Sequence, residues 1–290
     1  MRALVTGATG TIGQAMALHA PDGVDLWTTS RSPASGSQHR MAELAEGQAA
    51  NDIIAEVSPD VVIHLAGGVN INSFSMRASN VATTRQLLDA VTTSCRVVIV
   101  GSAAEYGEPV SQPISEDAPL TPVTEYGKVK AEQSTLAVEM AAARQLDVIV
   151  ARPFNVVSRS MASSTALGRV AQHVSTVARG SRTSITVGRT DVVRDFVPVS
   201  FVADALWSLS RIDSAHSTFN VCSGAGVTLR SVFESMAVAC GVTLDLHVDD
   251  QLAAMPAADI VVGNPTRLIE ATGLRWKASS DRIAAEALGR

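Results

Sequence analysis

The stretch TGATGTIG, residues 6–13, follows the short apolar run RALVT and precedes a run of helix-forming residues. Its three glycines, Gly7, Gly10 and Gly13, recur at every third position. Glycine lets the backbone turn tightly, and it lets a phosphate approach the free N–H groups and the positive dipole end of a following helix. The stretch therefore predicts a dinucleotide-binding turn between a first strand and a first helix.

Four more apolar runs alternate with helical stretches along the first half of the chain. These runs are VDLWTTS (24–30), DVVIHLA (60–66), RVVIVGS (96–102) and DVIVARP (147–153). Nearly continuous apolar strands are typical of a parallel sheet that is buried on both faces. One intervening helix is predicted over residues 81–94, and the polar loop at 31–40 is predicted to lie at the surface. The pattern indicates an α/β fold with a doubly wound parallel sheet of the Rossmann type.

Composition argues against several other classes of protein. The chain has 290 residues and a net charge of −5, so it offers no excess of positive charge for nucleic acid. No apolar run approaches the roughly 18 residues of a membrane-spanning helix, and the N-terminus reaches glycine too soon for a signal peptide. Cys95, Cys222 and Cys240 are odd in number and lack metal-ligand spacing. We therefore expect a cytoplasmic protein without a disulfide, a metal, a membrane or a nucleic-acid partner.

The end of the second strand bears on the choice of dinucleotide. It reads Thr28-Thr29-Ser30-Arg31, without the carboxylate that usually binds the ribose 2′-hydroxyl of NAD. The Arg31 guanidinium can instead pair with a 2′-phosphate. We therefore favour NADP(H) as the cofactor, with NAD(H) as the alternative. If Arg31 does not bind the cofactor, it is a solvated arginine at the start of a loop.

Tyr126 and Lys130 form a second informative pair, because the chain has only two tyrosines and three lysines. They stand four residues apart in EYGKVK (125–130), at the start of a helix-forming stretch. At this spacing they share one face of a helix, and an ammonium beside a phenol favours the phenolate. Lowering a tyrosine pKa from roughly 10 to near 7 requires about 4 kcal/mol. The pair predicts either a catalytic tyrosine with its lysine or a surface tyrosine stacked on a lysine stem.

Further motifs follow one another in order along nearly the whole chain. They are TGATGTIG, PDVVIHLAGG, NVATTRQLLDA, VGSAAEYGEP, TEYGKVKAE, RPFNV, VRDFVPVSFVADA, FNVCSG and VVGNPTRLIEATGL. In this combination the sequence resembles the extended short-chain dehydrogenase/reductase family, whose members are epimerases, dehydratases and reductases that act mostly on nucleotide-linked sugars. The resemblance implies an NAD(P)-dependent enzyme with a smaller C-terminal substrate lobe beside its Rossmann domain.

The resemblance also implies four catalytic residues. Tyr126 is expected to exchange a proton with a sugar hydroxyl or keto oxygen, and Lys130 is expected to lower the pKa of that tyrosine and hold the nicotinamide ribose. Ser102, at a strand end, is expected to hydrogen-bond the same oxygen. Asn80 is expected to hold the helix that presents this group, and its alternative role is a helix N-cap.

Binding residues follow from the same resemblance. The cofactor is expected to contact Gly7, Gly10, Thr11, Ile12, Gly13, Arg31, Glu43, Leu44, Leu65, Ala66, Gly67, Tyr126, Lys130 and Phe154. The substrate, a nucleotide sugar, is expected to contact Ser102, Asn155 and Arg194. Arg194 resembles the diphosphate-binding arginine of the family, since a guanidinium matches phosphate oxygens. The alternative for Arg194 is a structural salt bridge with Asp195 or Asp204.

One departure from the family pattern reduces the number of reactions expected of this chain. Dehydratases of the family carry an acid one or two residues after the serine or threonine, where this chain has Ala103 and Ala104. Glu105 comes one place later and, if the strand continues, is expected to face away. A 4,6-dehydratase is therefore disfavoured.

Other departures alter the substrate site. The Gly-Pro turn that usually follows RPFN is replaced by residues 156–159. A second phosphate-binding arginine is common in the family where this chain has Met255-Pro256. Arg159, Arg267 and Arg275 are the candidates to replace it.

The motifs look most like those of GDP-4-keto-6-deoxymannose-type 4-ketosugar reductases and predict an NADP(H)-dependent reductase of a nucleotide-linked 4-keto-6-deoxy sugar. The alternatives are an NAD-dependent nucleotide-sugar 4-epimerase and a non-catalytic nucleotide-sensing member. Residues 1–153 plus 191–222 are predicted to form the dinucleotide-binding domain, and residues 154–190 plus 223–290 the substrate lobe. Helices at 81–94 and 127–146 predict a homodimer, because family members commonly pair these two helices across a twofold axis.

Overall fold

The computed structural model describes residues 1–34, 38–68, 72–109, 111–254 and 258–290. In these ranges the strands are β1 (Arg2–Thr6), β2 (Asp25–Ser30), β3 (His39–Met41), β4 (Val61–His64), β5 (Arg96–Val100), β6 (Val148–Pro153), β7 (Asn155–Val157), β8 (Arg182–Val187), β9 (Val193–Pro198), β10 (Thr218–Val221), β11 (Gly226–Thr228), β12 (Thr243–Val248) and β13 (Ile260–Val261). The α-helices are α1 (Thr11–Leu18), α2 (Ala49–Val57), α3 (Ser73–Arg77), α4 (Thr83–Ala90), α5 (Glu125–Arg144), α6 (Ala166–Thr176), α7 (Val199–Leu209), α8 (Leu229–Cys240), α9 (Asp250–Ala253), α10 (Thr266–Thr272) and α11 (Ser280–Leu288). A π-helical segment (Ala78–Ala82) joins α3 to α4, and a 3-10 helix (Ala103–Tyr106) follows β5.

Seven parallel strands form the central sheet, in the order β10-β6-β5-β4-β1-β2-β3. β1 pairs with β2 on one side and with β4 on the other. The strand order therefore reverses beside β1, and a crevice opens at the carboxyl ends of the strands where such a reversal occurs. The predicted doubly wound Rossmann sheet is confirmed.

Side chains of the central strands alternate between two apolar cores, one on each face of the sheet. On β1, Ala3 and Val5 pack with α1 and α7, whereas Leu4 packs with α2, α4 and α5. On β4, Ile63 packs in the same core as Ala3 and Val5, whereas Val62 packs in the same core as Leu4. Because helices cover both faces, these strands contain few polar residues. This double burial holds the loops after the strands in fixed positions.

A second lobe contains the remaining strands. β9 pairs with β7, β11 and β13, β8 pairs with β12, and α6, α8 and α11 enclose the apolar core of this lobe. β9 lies within residues 191–222, which were expected to belong to the dinucleotide-binding domain, but it pairs in the smaller sheet. α7 and β10, from the same range, do pack in the Rossmann domain. The reason is that an apolar run predicts a buried strand but does not reveal which sheet the strand joins. The other domain boundaries stay a prediction.

Two segments differ from the sequence-based expectation. The polar stretch 31–40 ends in the edge strand β3, where the Thr28 hydroxyl lies 2.9 Å from Nδ1 of His39. The helix expected over 81–94 ends at Ala90, because Val91 has extended backbone angles.

Among the described helices, none combines the length and the apolar composition that crossing a bilayer requires.

Candidate active site

The glycine turn is shaped by two close backbone approaches. Gly7 has a φ of 69°, and a Cβ there would lie 2.8 Å from the backbone nitrogen of Ala66. A Cβ on Gly13 would lie 2.4 Å from the carbonyl oxygen of Gly7. α1 begins after Gly10, and no side chain caps its N-terminus. Its first N–H groups are therefore free for an anion, which fits the pyrophosphate of a dinucleotide.

A cleft of about 660 Å³ follows the carboxyl ends of the central strands, and a smaller pocket of about 270 Å³ adjoins it beside the glycine turn. Among the candidate residues, the cleft is lined by Gly7, Gly10, Thr11, Ile12, Gly13, Leu65, Gly67, Asn80, Ser102, Tyr126, Lys130, Phe154, Asn155 and Arg194. The smaller pocket adds Arg31, Glu43, Leu44 and Ala66. All the candidate residues therefore border one continuous site.

The smaller pocket suits the adenosine end of a dinucleotide. Arg31 lies 3.7 Å from Glu43, measured from Nη1 to Oε2, and its side chain is 64% exposed. An exposed pair of this kind contributes little to stability, so Arg31 is available to another anion. The Thr29 hydroxyl also borders this pocket and is buried without a hydrogen-bond partner in the described part of the chain.

Ser102 stands where β5 gives way to the 3-10 helix. Its Oγ accepts a hydrogen bond from the Ala104 N–H at 3.2 Å. Glu105 points away from the cleft, as expected, but for a different reason, because the strand ends at Val100 and the chain then turns helically. Glu105 is fully buried and its carboxylate accepts from the Ser102 N–H at 2.7 Å.

Tyr126 occupies the first turn of α5. Thr124 caps this helix, since its Oγ1 accepts from the Gly127 N–H at 3.0 Å. Burial raises the pKa of Tyr126 above its usual value, the Ser102 hydroxyl partly offsets that rise, and the Glu105 carboxylate adds to it. In this geometry Tyr126 is a neutral phenol at physiological pH and can donate a proton.

Lys130 lies one turn further along α5 with its ammonium directed inward. Nζ donates to the Val100 carbonyl at 2.5 Å and to Oε1 of Gln133 at 2.6 Å. Burial lowers the pKa of Lys130 to about 8, and the Glu105 carboxylate opposes that fall. These two acceptors fix the position of the ammonium, and the expectation that Lys130 lowers the pKa of Tyr126 stays a prediction.

Asn80 lies inside the π-helical segment and is almost completely buried. Its Nδ2 donates to the carbonyls of Met76, at 2.8 Å, and Gly68, at 3.2 Å. It therefore ties this helix to the loop after β4. The alternative role as an N-cap is wrong, because residues on both sides of Asn80 are helical; Asn72 caps α3 instead.

Arg194 lines the substrate end of the cleft. Its Nη1 donates to the Val193 carbonyl at 2.8 Å, and the Asp259 carbonyl lies at 3.4 Å. The alternative salt bridges are wrong: the Asp195 carboxylate accepts from Ser223, and Asp204 contacts His19. The guanidinium of Arg194 is consequently available to a bound anion.

The three arginines considered as substitutes for the second phosphate ligand do not line the cleft. Arg267 pairs with Asp117, the Arg159 side chain packs beside Gly289, and Arg275 is exposed. The position compared with the family arginine, Met255-Pro256, lies outside the described residues.

Several lining residues were missed at the level of sequence. In the cleft these include Thr124, Val156, Ala258 and Val261, and in the smaller pocket Thr29, Ser30, Ser32, Ser79 and Thr83. Thr124 carries a usable signal, because threonine before a helix-forming run is a typical N-cap. The others carry none, since small, hydroxyl-bearing and apolar residues are equally common in strands, helices and loops that bind no ligand.

Comparison with known proteins agrees with this geometry. The family model described as NAD dependent epimerase/dehydratase family matches residues 3–222. The chain is 28% identical over 287 residues to GDP-6-deoxy-D-mannose reductase of Pseudomonas aeruginosa, covering 95% of this chain and 91% of that protein. It is 28% identical over 257 residues to dTDP-6-deoxy-L-talose 4-dehydrogenase (NAD(P)(+)) of Kitasatospora kifunensis, covering 84% and 81%.

A solved structure extends the similarity to three dimensions. The structure of RMD from Pseudomonas aeruginosa complexed with NADPH matches with a TM-score of 0.84 at 26% identity, covering 99% of this chain and 96% of that one. The resemblance to the extended short-chain dehydrogenase/reductases is confirmed. Because the family model spans most of the sequence, this chain is an enzyme that belongs to the NAD dependent epimerase/dehydratase family.

Proposed function

We propose that the protein is an NADP(H)-dependent reductase of a nucleotide-linked 4-keto-6-deoxy sugar. One observation supports this most strongly: Ser102, Tyr126 and Lys130 line the same cleft as the glycine turn, while its described lining contains no aspartate or glutamate. Reduction of a ketone needs a hydride donor and a proton donor. Elimination of water needs an additional acid at the leaving hydroxyl, and Ala103 and Ala104 occupy the places where the family's dehydratases carry it.

The cofactor would be held along the edge of the sheet. The N-terminus of α1 would bind the pyrophosphate, Arg31 the 2′-phosphate, and Phe154 would pack on the nicotinamide side. When bound, the nicotinamide supplies the hydride. Asn155 and Arg194 would hold the diphosphate of the substrate at the other end of the cleft.

Two side chains would act on the keto oxygen. The neutral Tyr126 hydroxyl donates a proton to it, and the Ser102 hydroxyl donates a hydrogen bond as negative charge develops there. Lys130 lines the cleft, and its amine is still positively charged at physiological pH, since its pKa is about 8. No metal is required for these steps.

One feature favours a reductase over a 4-epimerase. A reductase must exchange its cofactor on every turnover, and Arg31 on the exposed rim of the smaller pocket fits a dissociable NADPH. The NAD-dependent 4-epimerase remains the second candidate, because the family includes epimerases.

The direct test is turnover of a substrate panel. GDP-, UDP- and dTDP-linked 4-keto-6-deoxy sugars are incubated separately with the enzyme and either NADPH or NADH, and cofactor oxidation is followed by the loss of its absorbance. We expect stoichiometric NADPH oxidation with one nucleotide class. A 4-epimerase would instead interconvert UDP-hexoses without added reductant and would retain NAD through purification.

The pH dependence of kcat provides a separate prediction. Tyr126 keeps its proton through the neutral range because burial raises its pKa, so reduction should show no acid limb from this residue. Lys130 loses its charge as the pH rises through about 8, and kcat should fall there. The measurement is a pH–rate profile at saturating NADPH and substrate. A rate that climbs steadily from acid to alkaline pH would indicate a required phenolate and contradict this assignment.

Homodimer formation is a further prediction. α4 and α5 lie side by side on one face of the central sheet, and Val138 of α5 is 46% exposed. Sedimentation at micromolar concentration should show a species of twice 30.2 kDa. Val138→Asp should shift it toward the monomer, whereas Val238→Asp on α8, where the valine is 77% exposed, should not. A monomer alone in the unmodified protein would contradict the dimer.

A further inference from the structure

A buried ion pair lies directly behind Ser102. Nε of Arg152 donates to Oε2 of Glu105 at 2.7 Å, and the two side chains are 7% and 0% exposed. Removing two charges from water carries a large desolvation penalty, so a buried pair is weak evidence for stabilisation. The contacts of the Glu105 carboxylate suggest a functional reason for the pair.

The second oxygen of the same carboxylate holds the Ser102 backbone. Oε1 of Glu105 accepts from the Ser102 N–H at 2.7 Å. Gly101 leaves room for this approach, because a Cβ there would lie 2.4 Å from Oε1. The hydrogen bond fixes the residue that caps the 3-10 helix after β5.

Arg152 is itself anchored through the 3-10 helix to the neighbouring strand β10. It belongs to β6, and its Nη1 donates to the Tyr106 hydroxyl at 2.9 Å. That hydroxyl donates to Oδ1 of Asn220 on β10 at 2.7 Å. All these groups are buried, so the carboxylate of Glu105 is held in one place relative to the sheet.

We propose that Glu105, held by Arg152, is a positioning residue that fixes Ser102 in the cleft. This role rests on the proposed ketone reduction, in which Ser102 hydrogen-bonds the reacting oxygen. Glu105 does not line the cleft and does not touch the substrate. It acts by removing the freedom of the Ser102 backbone, and hence of the hydroxyl attached to it.

Two variants separate positioning from a purely structural role. Both replace Arg152 by methionine, so neither leaves an unpaired buried charge. In the glutamine variant, Glu105→Gln with Arg152→Met, the amide oxygen has no competing donor and accepts from the Ser102 N–H. In the leucine variant, Glu105→Leu with Arg152→Met, that acceptor is gone. We expect the glutamine variant to keep most of the wild-type kcat. The leucine variant should lose kcat by about 10- to 100-fold, because misplacing a catalytic group by about 1 Å costs up to that much.

Cofactor affinity and stability serve as the controls. The Kd of NADPH should be unchanged in both variants, since the glycine turn is untouched. The leucine variant should melt at least as high as the glutamine variant. A leucine variant that is folded and retains wild-type kcat would overturn the positioning role.

Amide exchange gives a readout that needs no substrate. Exchange of the Ser102 amide hydrogen should be at least about tenfold faster in the leucine variant than in wild type, because its acceptor is gone, and nearly unchanged in the glutamine variant. If the leucine variant does not fold, Gly101→Ala replaces it, since the added methyl displaces Oε1. Unchanged Ser102 exchange overturns the inference, whereas a wild-type enzyme that reduces no ketosugar overturns only the proposed function.

Discussion

Tyr126→Phe is expected to lower kcat by about 10²–10⁴-fold, the usual contribution of a general acid, while leaving the affinity for NADPH unchanged. The substitution removes only the phenolic hydroxyl, which borders the cleft beside Ser102. The measurement is steady-state reduction of the ketosugar together with cofactor titration. Because the described partner of this hydroxyl is the Ser102 side chain, which lines the cleft and not the core, the midpoint of thermal unfolding should stay close to that of the wild type.

The other tyrosine of the chain supplies the matched control. Tyr106 is fully buried, and its hydroxyl donates to Asn220 and accepts from Arg152. Tyr106→Phe should therefore destabilise the fold by about 1–3 kcal/mol, the cost of leaving buried polar groups unpaired. It should keep most of the turnover, because Glu105 still accepts from Nε of Arg152 and from the Ser102 N–H. If Tyr126→Phe retains more than about a tenth of the wild-type kcat, the assignment of Tyr126 as the general acid must be abandoned.

Arg31→Ala should weaken NADPH binding by about 10- to 150-fold and leave NADH binding nearly unchanged. A 2′-phosphate without its cationic partner loses charge-assisted hydrogen bonds worth roughly 1.5–3 kcal/mol each, which converts to that range of affinity. Ser30→Asp should go further, because a carboxylate at this strand end would repel the phosphate and accept from the 2′-hydroxyl of NADH. Both cofactors are titrated into each variant.

Arg40→Ala is the matched control for Arg31→Ala. Arg40 pairs with Glu56 and stacks over the Trp27 ring, away from the residues that line the smaller pocket. Its removal should leave the affinity for both cofactors unchanged. Equal losses of NADPH and NADH affinity in Arg31→Ala, or no loss of either, would show that Arg31 does not recognise the 2′-phosphate.

Much of the fold could be predicted, and so could the meeting of the candidate residues in one cleft. Both follow from local sequence patterns. A parallel sheet covered on both faces requires apolar strands such as residues 61–64 and 96–100. Its carboxyl ends lie at one edge. Motifs that follow different strands, such as Gly7 after β1, Ser102 after β5 and Phe154 after β6, therefore meet in one cleft.

The details that sequence patterns did not reveal depend on contacts between side chains of different segments. The ammonium of Lys130 turns inward because Gln133 accepts from it, and Gln133 is in turn fixed by Thr84 of α4. Asn80 lies within a widened helical turn that no propensity indicates. The direction of Glu105 follows from its buried partner Arg152, 47 residues away in sequence. Such pairings appear only when the chain is folded.

Transfer of hydrogen from free NADPH to the sugar tests the central claim most directly. The enzyme is incubated with the reactive nucleotide-linked 4-keto-6-deoxy sugar and NADPH in which both hydrogens at C4 of the dihydronicotinamide are replaced by deuterium. Mass spectrometry and NMR then locate the label. A reductase places one deuterium on C4 of the 6-deoxy sugar for each NADPH oxidised. An unlabelled sugar product, or a changed configuration at C4 without consumption of NADPH, would contradict it.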